Sequence, residues 1–265
     1  MSIEHHPIFE EFFPRDFIHD SFLGTVSRRE FTSEAIAQTV KACGPAGLPA
    51  FNEEYFEWLD LLESIQAWKP GSGPYTFMEL GAGYGRWSVR AAFARKLARI
   101  IAVEAEPTHF DWLRQNFYDN GLKSDRHKLI HAAVSDVSTG CLFLHGRPSE
   151  WYGQRIAGPG ESGLSIKSVT LSQLLEHEFV DLIDMDIQGH EFVVIQAGLG
   201  ALNAKVKRLH IATHSPEIES DLRVLLWNYG WKALHLFGTG QKYQTEVGVI
   251  EFQDGVQSWV NTRFL

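Results

Sequence analysis

Glu79-Leu80-Gly81-Ala82-Gly83-Tyr84-Gly85 is the stretch on which the reading of this chain turns. It follows Tyr75–Leu80, a run with the composition of a buried strand. It opens a segment of about Gly85–Leu97, in which Val89, Ala92, Phe93 and Leu97 recur at helical steps. A strand, a glycine turn and a helix in that order make a nucleoside-binding corner, because glycine takes tight backbone conformations and lets the chain approach a ligand closely. Two details choose the ligand. The position where a dinucleotide fingerprint has its third Gly or Ala holds Arg86. Glu79 precedes the first glycine by two residues, and a carboxylate there suits a ligand amino group but not a pyrophosphate. S-adenosylmethionine, with a cationic amino-acid tail and no phosphate, fits this loop better than NAD does.

Working outward, Arg99–Val103 reads as the next strand, and Glu104 at its end is placed to accept hydrogen bonds from ribose hydroxyls. A helix is expected from Pro107 to about Tyr118, with Asn120-Gly121 just beyond it. Lys128–Val134 reads as a third strand. In a doubly wound sheet the ligand lies across the carboxyl ends of the strands, so Ala133 or Val134 would contact the adenine ring and Asp136 its amino group. Residues 137–170 are richer in Gly, Ser and Pro and read as an insertion. Strands Val180–Asp186 and Val206–Thr213 alternate with helices at Gly189–Ala197 and from Ser215-Pro216 to Gly230. Trp231–Phe237 and Glu246–Phe252 are joined by too short a segment for a helical crossover, so they are expected to be antiparallel neighbours. The pattern predicts an α/β fold: a doubly wound, mostly parallel seven-stranded sheet, Rossmann-like, with the last strand antiparallel.

Before the breaker cluster Lys69–Pro74, residues 1–70 carry no strong strand signal and read as a helical N-terminal cap or extension to a domain of residues 71–265. Within them Phe51, Tyr55, Trp58, Leu62 and Ile65 form an apolar stripe. Such a stripe serves packing against the main domain or covers a ligand site; an exposed aromatic helix of this kind also suits a homodimer contact.

Composition bounds the rest. The 265-residue chain is 44% hydrophobic and 22% charged, with a formal net charge of −9. That balance argues against long nucleic acids, whose binding relies on Lys and Arg neutralising phosphates. The run Arg86, Arg90, Arg95, Lys96 and Arg99 reads as the solvated face of a helix. No apolar run is long enough to span a membrane, and the acidic N-terminus does not read as a signal peptide, so a cytoplasmic location is expected. The two cysteines, Cys43 and Cys141, read as buried thiols.

Taken in order, the segments ELGAGYGRWS, VEAEPTHFDWLRQNF, AAVSD, VDLIDMDIQGHE and HIATHS resemble the FkbM-type methyltransferases, over roughly residues 75–250. The resemblance implies a class I methyltransferase fold, S-adenosylmethionine as donor, and O-methylation of hydroxyls on sugars, glycans or secondary metabolites. The chain departs from the family in having Asp184 where Lys is common.

A sulfonium donor is already activated, so the protein mainly aligns donor and acceptor and excludes water. A hydroxyl acceptor also loses a proton, which calls for a base or a metal where strands four and five end. Asp186 and His214 meet that requirement as catalytic candidates. Gln188 could hydrogen-bond the acceptor, whereas Glu191 reads equally as an acid that favours the start of the helix through the macrodipole. His190 reads as a surface residue and His210 as a packed or hydrogen-bonded one. Asp184, Asp186, Glu191, His210 and His214 include the usual ligands of a divalent metal, with Asp186, Glu191 and His214 the preferred set, although catalysis without metal is the first expectation. In the insertion, Trp151, Tyr152, Gln154 and Arg155 suit sugar or polyol binding, or pin a loop. N-methylation of a small molecule, an NAD-dependent oxidoreductase and a non-catalytic binding module remain alternatives.

Overall fold

The computed structural model describes residues 51–122, 125–145 and 154–265. Seven strands form the central sheet: β1 (Thr76–Leu80), β2 (Arg99–Glu104), β3 (Lys128–His131), β4 (Val180–Met185), β5 (Val206–Thr213), β6 (Trp231–Phe237) and β7 (Gly255–Asn261). Their spatial order is β6-β7-β5-β4-β1-β2-β3. The first five run parallel to their neighbours, and β7 lies between β5 and β6, antiparallel to both. The helices of the two faces are α1 (Glu54–Ala67), α2 (Arg86–Ala94), α3 (Pro107–Asp119), α4 (Glu191–Lys205) and α5 (Pro216–Asn228).

Side-chain alternation along the strands builds two cores. Phe77, Ile100, Ala102 and Leu182 point to one face, where Trp58, Leu59 and Leu62 of α1 and Val89 of α2 meet them. Met78, Ile101, Ile183, Met185, Leu209 and Ile211 point to the other, against Val194, Ile195 and Leu202 of α4 and Leu222 and Leu226 of α5. Buried on both faces, these strands carry apolar residues on both sides of the sheet rather than alternating, with Glu79, Asp184 and His210 among the buried polar exceptions. Helix α1 is buried well beyond the stripe expected of it, since Phe56, Leu59 and Leu61 are buried beside Tyr55, Trp58, Leu62 and Ile65. Each fully buried side chain of this size contributes about 1.5–3 kcal/mol. Helix α1 therefore packs as part of the core, against β4 and β5.

The antiparallel end of the sheet corrects one expectation. Glu246–Phe252 does not pair with Trp231–Phe237; Gln241–Thr245 and Gly248–Phe252 instead form a separate hairpin. The partner of β6 is β7, GVQSWVN, which the sequence pattern did not mark as a strand. All seven of its residues are buried, so no alternation shows. Its amides are polar in composition but satisfied inside: Gln257 Nε2 donates to the Glu219 carbonyl at 2.9 Å, and Asn261 Nδ2 to the Val206 carbonyl at 2.9 Å.

The expected third strand is also shorter than read, ending at His131, with Ala133–Val134 pairing separately to Ser168–Val169. Within the insertion, Cys141–Leu144 pairs with Arg155–Ile156 and Leu164–Ile166. No helix among the described residues is long and apolar enough to cross a membrane.

Candidate functional site

A cleft of about 300 Å³ opens at the carboxyl ends of β1, β2, β4 and β5. The glycine loop forms its floor. Gly81 has a φ of +84°, and a Cβ there would stand 1.7 Å from the Asp186 carbonyl oxygen. Gly85 has a φ of +77°, and its Cβ would meet Leu113 Cδ1 at 2.3 Å. These two glycines are thus required by protein–protein approach: the first seats the β1 loop on the β4 loop, the second seats α2 on α3. The Gly81 and Ala82 amides both donate to the Val103 carbonyl at 3.0 Å, which ties the loop to β2.

Glu104, at the end of β2, is buried and accepts from the Gly83 amide at 2.6 Å and the Glu106 amide at 2.7 Å. Burial pushes its carboxyl up to about 7 against the lowering effect of those amides. Glu79 has a second employment that its position in the sequence did not reveal. Its Oε2 accepts from the Ser88 amide at 2.9 Å, in the first turn of α2, whose N-cap Gly85 has no side chain to do so. Burial and the neighbouring Asp184 raise its carboxyl to about 8. A cationic amino group brought into the cleft would favour the ionised form of this acid.

Ala133, Val134 and Gln154 line the cleft together with His109. Asp136 is exposed and is not among the lining residues; it accepts from Ser135 Oγ at 3.0 Å. Trp151 and Tyr152 lie outside the described residues. The basic run is not a solvated face throughout, since Arg86 pairs with Glu54 of α1 and Arg90 stacks on Trp58 and Trp87, 4.7 and 4.4 Å from their ring centroids.

At the ends of β4 and β5, the expected catalytic candidates meet. The β4–α4 turn is closed by Glu191, fully buried, whose Oε1 accepts from the Ile187 and Gly189 amides at 3.3 and 3.0 Å. The same oxygen accepts from His214 Nδ1 at 2.9 Å. His214 Nε2 lies 3.3 Å from Asp186 Oδ1 and 3.9 Å from Asp254 Oδ1. Burial opposes charge on this ring, but Asp186 and Glu191 overcome it and raise its pKa to about 10. Gln188, in the left-handed region at a φ of +56°, donates from Nε2 to Asp186 Oδ1 at 2.9 Å.

Beneath α1 lies a second polar group. Glu79, Asp184, His210 and Ser258 are successive partners across the sheet. Asp60 accepts from His210 Nδ1 at 2.6 Å and also, over a short contact, from Ser258 Oγ. Asp184 is hydrogen-bonded to Glu57; burial raises both acids, Asp184 to about 6, and the charge of Asp184 raises Glu57 further. Asp184 thus meets an acid of the helix that precedes the glycine loop. Sequence reasoning missed Glu57, Asp60 and Asp254. The first two left a trace, as members of a row of acids at three-residue steps, Glu54, Glu57, Asp60 and Glu63, along an aromatic-rich helix; Asp254 left none.

The Methyltransferase FkbM domain family matches residues 79–231. A "Putative methyltransferase" of Jannaschia sp. (strain CCS1) is 27% identical over 191 residues, covering 66% of this chain and 67% of that protein. Two solved structures are similar in fold. One is the O-methyltransferase of Bacillus cereus in complex with SAH, at 16% identity, 89% and 92% coverage and a TM-score of 0.44. The other is a "putative RNA methyltransferase" of Pyrococcus horikoshii, at 14% identity, 78% and 82% coverage and a TM-score of 0.42. The chain belongs to the FkbM methyltransferase family. Its class is that of the S-adenosylmethionine-dependent methyltransferases, with a seven-stranded class I sheet.

Proposed function

We propose that this protein methylates a hydroxyl group of a small-molecule or carbohydrate acceptor. The observation that carries this reading is the group Asp186–His214–Glu191, set at the ends of β4 and β5, with Asp186 lining the same cleft as the glycine loop. S-adenosylmethionine supplies an electrophilic methyl group on a sulfonium. Glu104 would hold its ribose, Ala133 and Val134 its adenine, and Glu79 its amino group; Gly81, Gly83 and Gly85 shape the floor. These side chains suit that donor, because the carboxylates lining the cleft match its positive charges and no basic side chain there awaits a phosphate: Arg86 is engaged by Glu54.

On the acceptor side, Asp186 would receive the hydroxyl proton as the oxygen gains the methyl carbon. His214, with Nε2 at 3.3 Å from Asp186 Oδ1 and its pKa raised by two carboxylates, would position Asp186 electrostatically rather than act as the base. Gln188 would fix the orientation of Asp186, and Gln154 would contact the acceptor. Donor and acceptor filling the cleft would displace water from it, which favours transfer to the acceptor over loss of the methyl group.

A second reading is supported by charge. Eight carboxylates line the cleft, and Arg86 is the one Lys or Arg among the described lining residues. An acceptor carrying an amine, methylated on nitrogen or anchored through it, would suit that surplus. Both readings meet one experiment: methyl transfer from labelled S-adenosylmethionine to a panel of sugars, polyols, amino sugars and simple amines, with products assigned by NMR. Methyl ethers lost in Asp186→Asn support the first reading, N-methyl products support the second, and an absence of transfer to every acceptor refutes both.

A further inference from the structure

Two groups of side chains in the described structure bring His, Asp and Glu ligand atoms within 4.8 Å of one another: Glu57, Asp184 and His210, and Asp186, Glu191 and His214. Their hydrogen bonding separates them. In the first, His210 Nδ1 is taken by Asp60 at 2.6 Å, and Glu57 and Asp184 are bonded to each other. Its donors are satisfied within the protein, and it has no need of an ion.

The second group is satisfied on one side only. His214 Nδ1 donates to Glu191 Oε1, which fixes the ring and its tautomer. Nε2 of the same ring is buried and has no hydrogen-bond partner among the described residues. Glu191 Oε2 is in the same condition, on a side chain that is fully buried. Each buried polar atom left without a partner costs about 1–3 kcal/mol. Across this gap Asp186 Oδ1 lies 3.3 Å and Asp254 Oδ1 3.9 Å from Nε2. Even the shorter distance is long for an N–H···O bond, whose usual distance is about 2.9 Å. It is the separation expected of two donors that share one ion at about 2.0–2.2 Å each.

We propose that Asp186, Glu191 and His214 form a divalent-cation site, with Asp254 at its rim. An ion there would give the buried Nε2 of His214 the partner that it lacks, beside Asp186 Oδ1. The donor set, one imidazole with carboxylates, suits a Mn2+-class ion, with room for water or an acceptor oxygen on the side of half-exposed Asp186. The ligands come from the end of β4, the start of α4 and the end of β5, so the site exists only in the folded chain. Its use, drawing the proton from an acceptor hydroxyl by Lewis acidity, rests on the O-methylation proposed above; the binding of the ion does not.

The test is a Mn2+ titration of the chelator-treated full chain, read as loss of the free Mn2+ signal by electron paramagnetic resonance. S-adenosylhomocysteine binding is measured calorimetrically on the same samples. The wild type is expected to take up one ion at this site. Asp186→Asn and His214→Gln, which each remove a direct ligand, are expected to weaken it by at least the roughly 10–100-fold that follows loss of a ligand's outer partner. Glu57→Gln, in the satisfied group, is expected to leave Mn2+ uptake unchanged. The exposed Asp186 side chain makes its variant the one least prone to misfold. No uptake, or uptake indifferent to both substitutions, overturns the site. Loss of S-adenosylhomocysteine binding with Mn2+ uptake intact would instead overturn the donor site and leave the cation site standing.

Discussion

Replacing Gly81 by Ala tests how the glycine loop is built. The new Cβ would lie 1.7 Å from the Asp186 carbonyl oxygen and 2.8 Å from its carbonyl carbon, both backbone atoms that no rotamer change can move. An ordinary contact begins near 3.4 Å, so the β1 and β4 loops must part by more than an ångström. The Asp186 amide bond to the Leu80 carbonyl, 2.9 Å, lies in the path of that movement. The left-handed backbone adds about 1–2 kcal/mol for a residue with a Cβ. Overpacking adds typically about 1–3 kcal/mol. The smaller entropy of the unfolded alanine chain returns about 0.4–1 kcal/mol. The net loss is then about 1–5 kcal/mol, or a fall in Tm of roughly 2–4 °C for each kcal/mol in a chain approaching this size. Gly71→Ala is the control, because Gly71 has a φ of +94° and nothing within 4 Å of its Cβ. It carries the strain and entropy contributions without the collision. Urea and thermal unfolding of the two variants should therefore differ by the overpacking contribution. S-adenosylhomocysteine affinity, by calorimetry, should fall at least about tenfold in Gly81→Ala alone, a change of 1.4 kcal/mol. If Gly81→Ala unfolds like Gly71→Ala and binds like the wild type, the close seating of the two loops is refuted.

Glu104 offers a prediction in pH. Its carboxyl titrates near 7, above the ordinary 4.5, because it is buried. In the proposed site the ionised form would accept from both ribose hydroxyls and the protonated form would not, so S-adenosylhomocysteine affinity should decline as pH falls through 7. Glu104→Gln should bind more weakly and flatten that part of the profile; an unchanged profile would separate Glu104 from donor binding. Stability runs the opposite way: between 4.5 and 7 the folded chain holds a proton that the unfolded chain has released, so this group's contribution weakens as pH rises through that window. Asp60 is the hinge of the buried group under α1, and Asp60→Ala should destabilise the protein by about 3–5 kcal/mol by leaving His210 buried without its partner. Urea unfolding that shows a loss below about 1 kcal/mol would mean that this pair is not formed as described.

The positions of the candidate site were legible because they lie at strand ends, and strand ends follow from local periodicity. Glu104, Ala133, Val134, Asp186 and His214 could be placed on the carboxyl edge of the sheet once the strands were marked. What each would touch was less legible. Glu79 reads as a ligand-facing acid, yet it also caps α2, a role visible only when Gly85 is seen to leave the Ser88 amide without a local partner. Glu191 reads as a helix-start acid, yet it closes its own turn and orients His214 across 23 residues of chain. Asp254 depends on a strand, β7, whose burial on both faces left no period to read.

By itself the sequence determined the alternation of strands and helices, the glycine turn with its acids, and so the sheet and the donor class. These rest on local forces: backbone sterics, the two side-chain periods and the burial of apolar runs. The tertiary structure alone decided where β7 inserts, that α1 belongs to the core, and which carboxylates meet one another or face an imidazole. Those outcomes depend on groups far apart in the chain and on desolvation, which a side chain undergoes only when the whole fold closes over it.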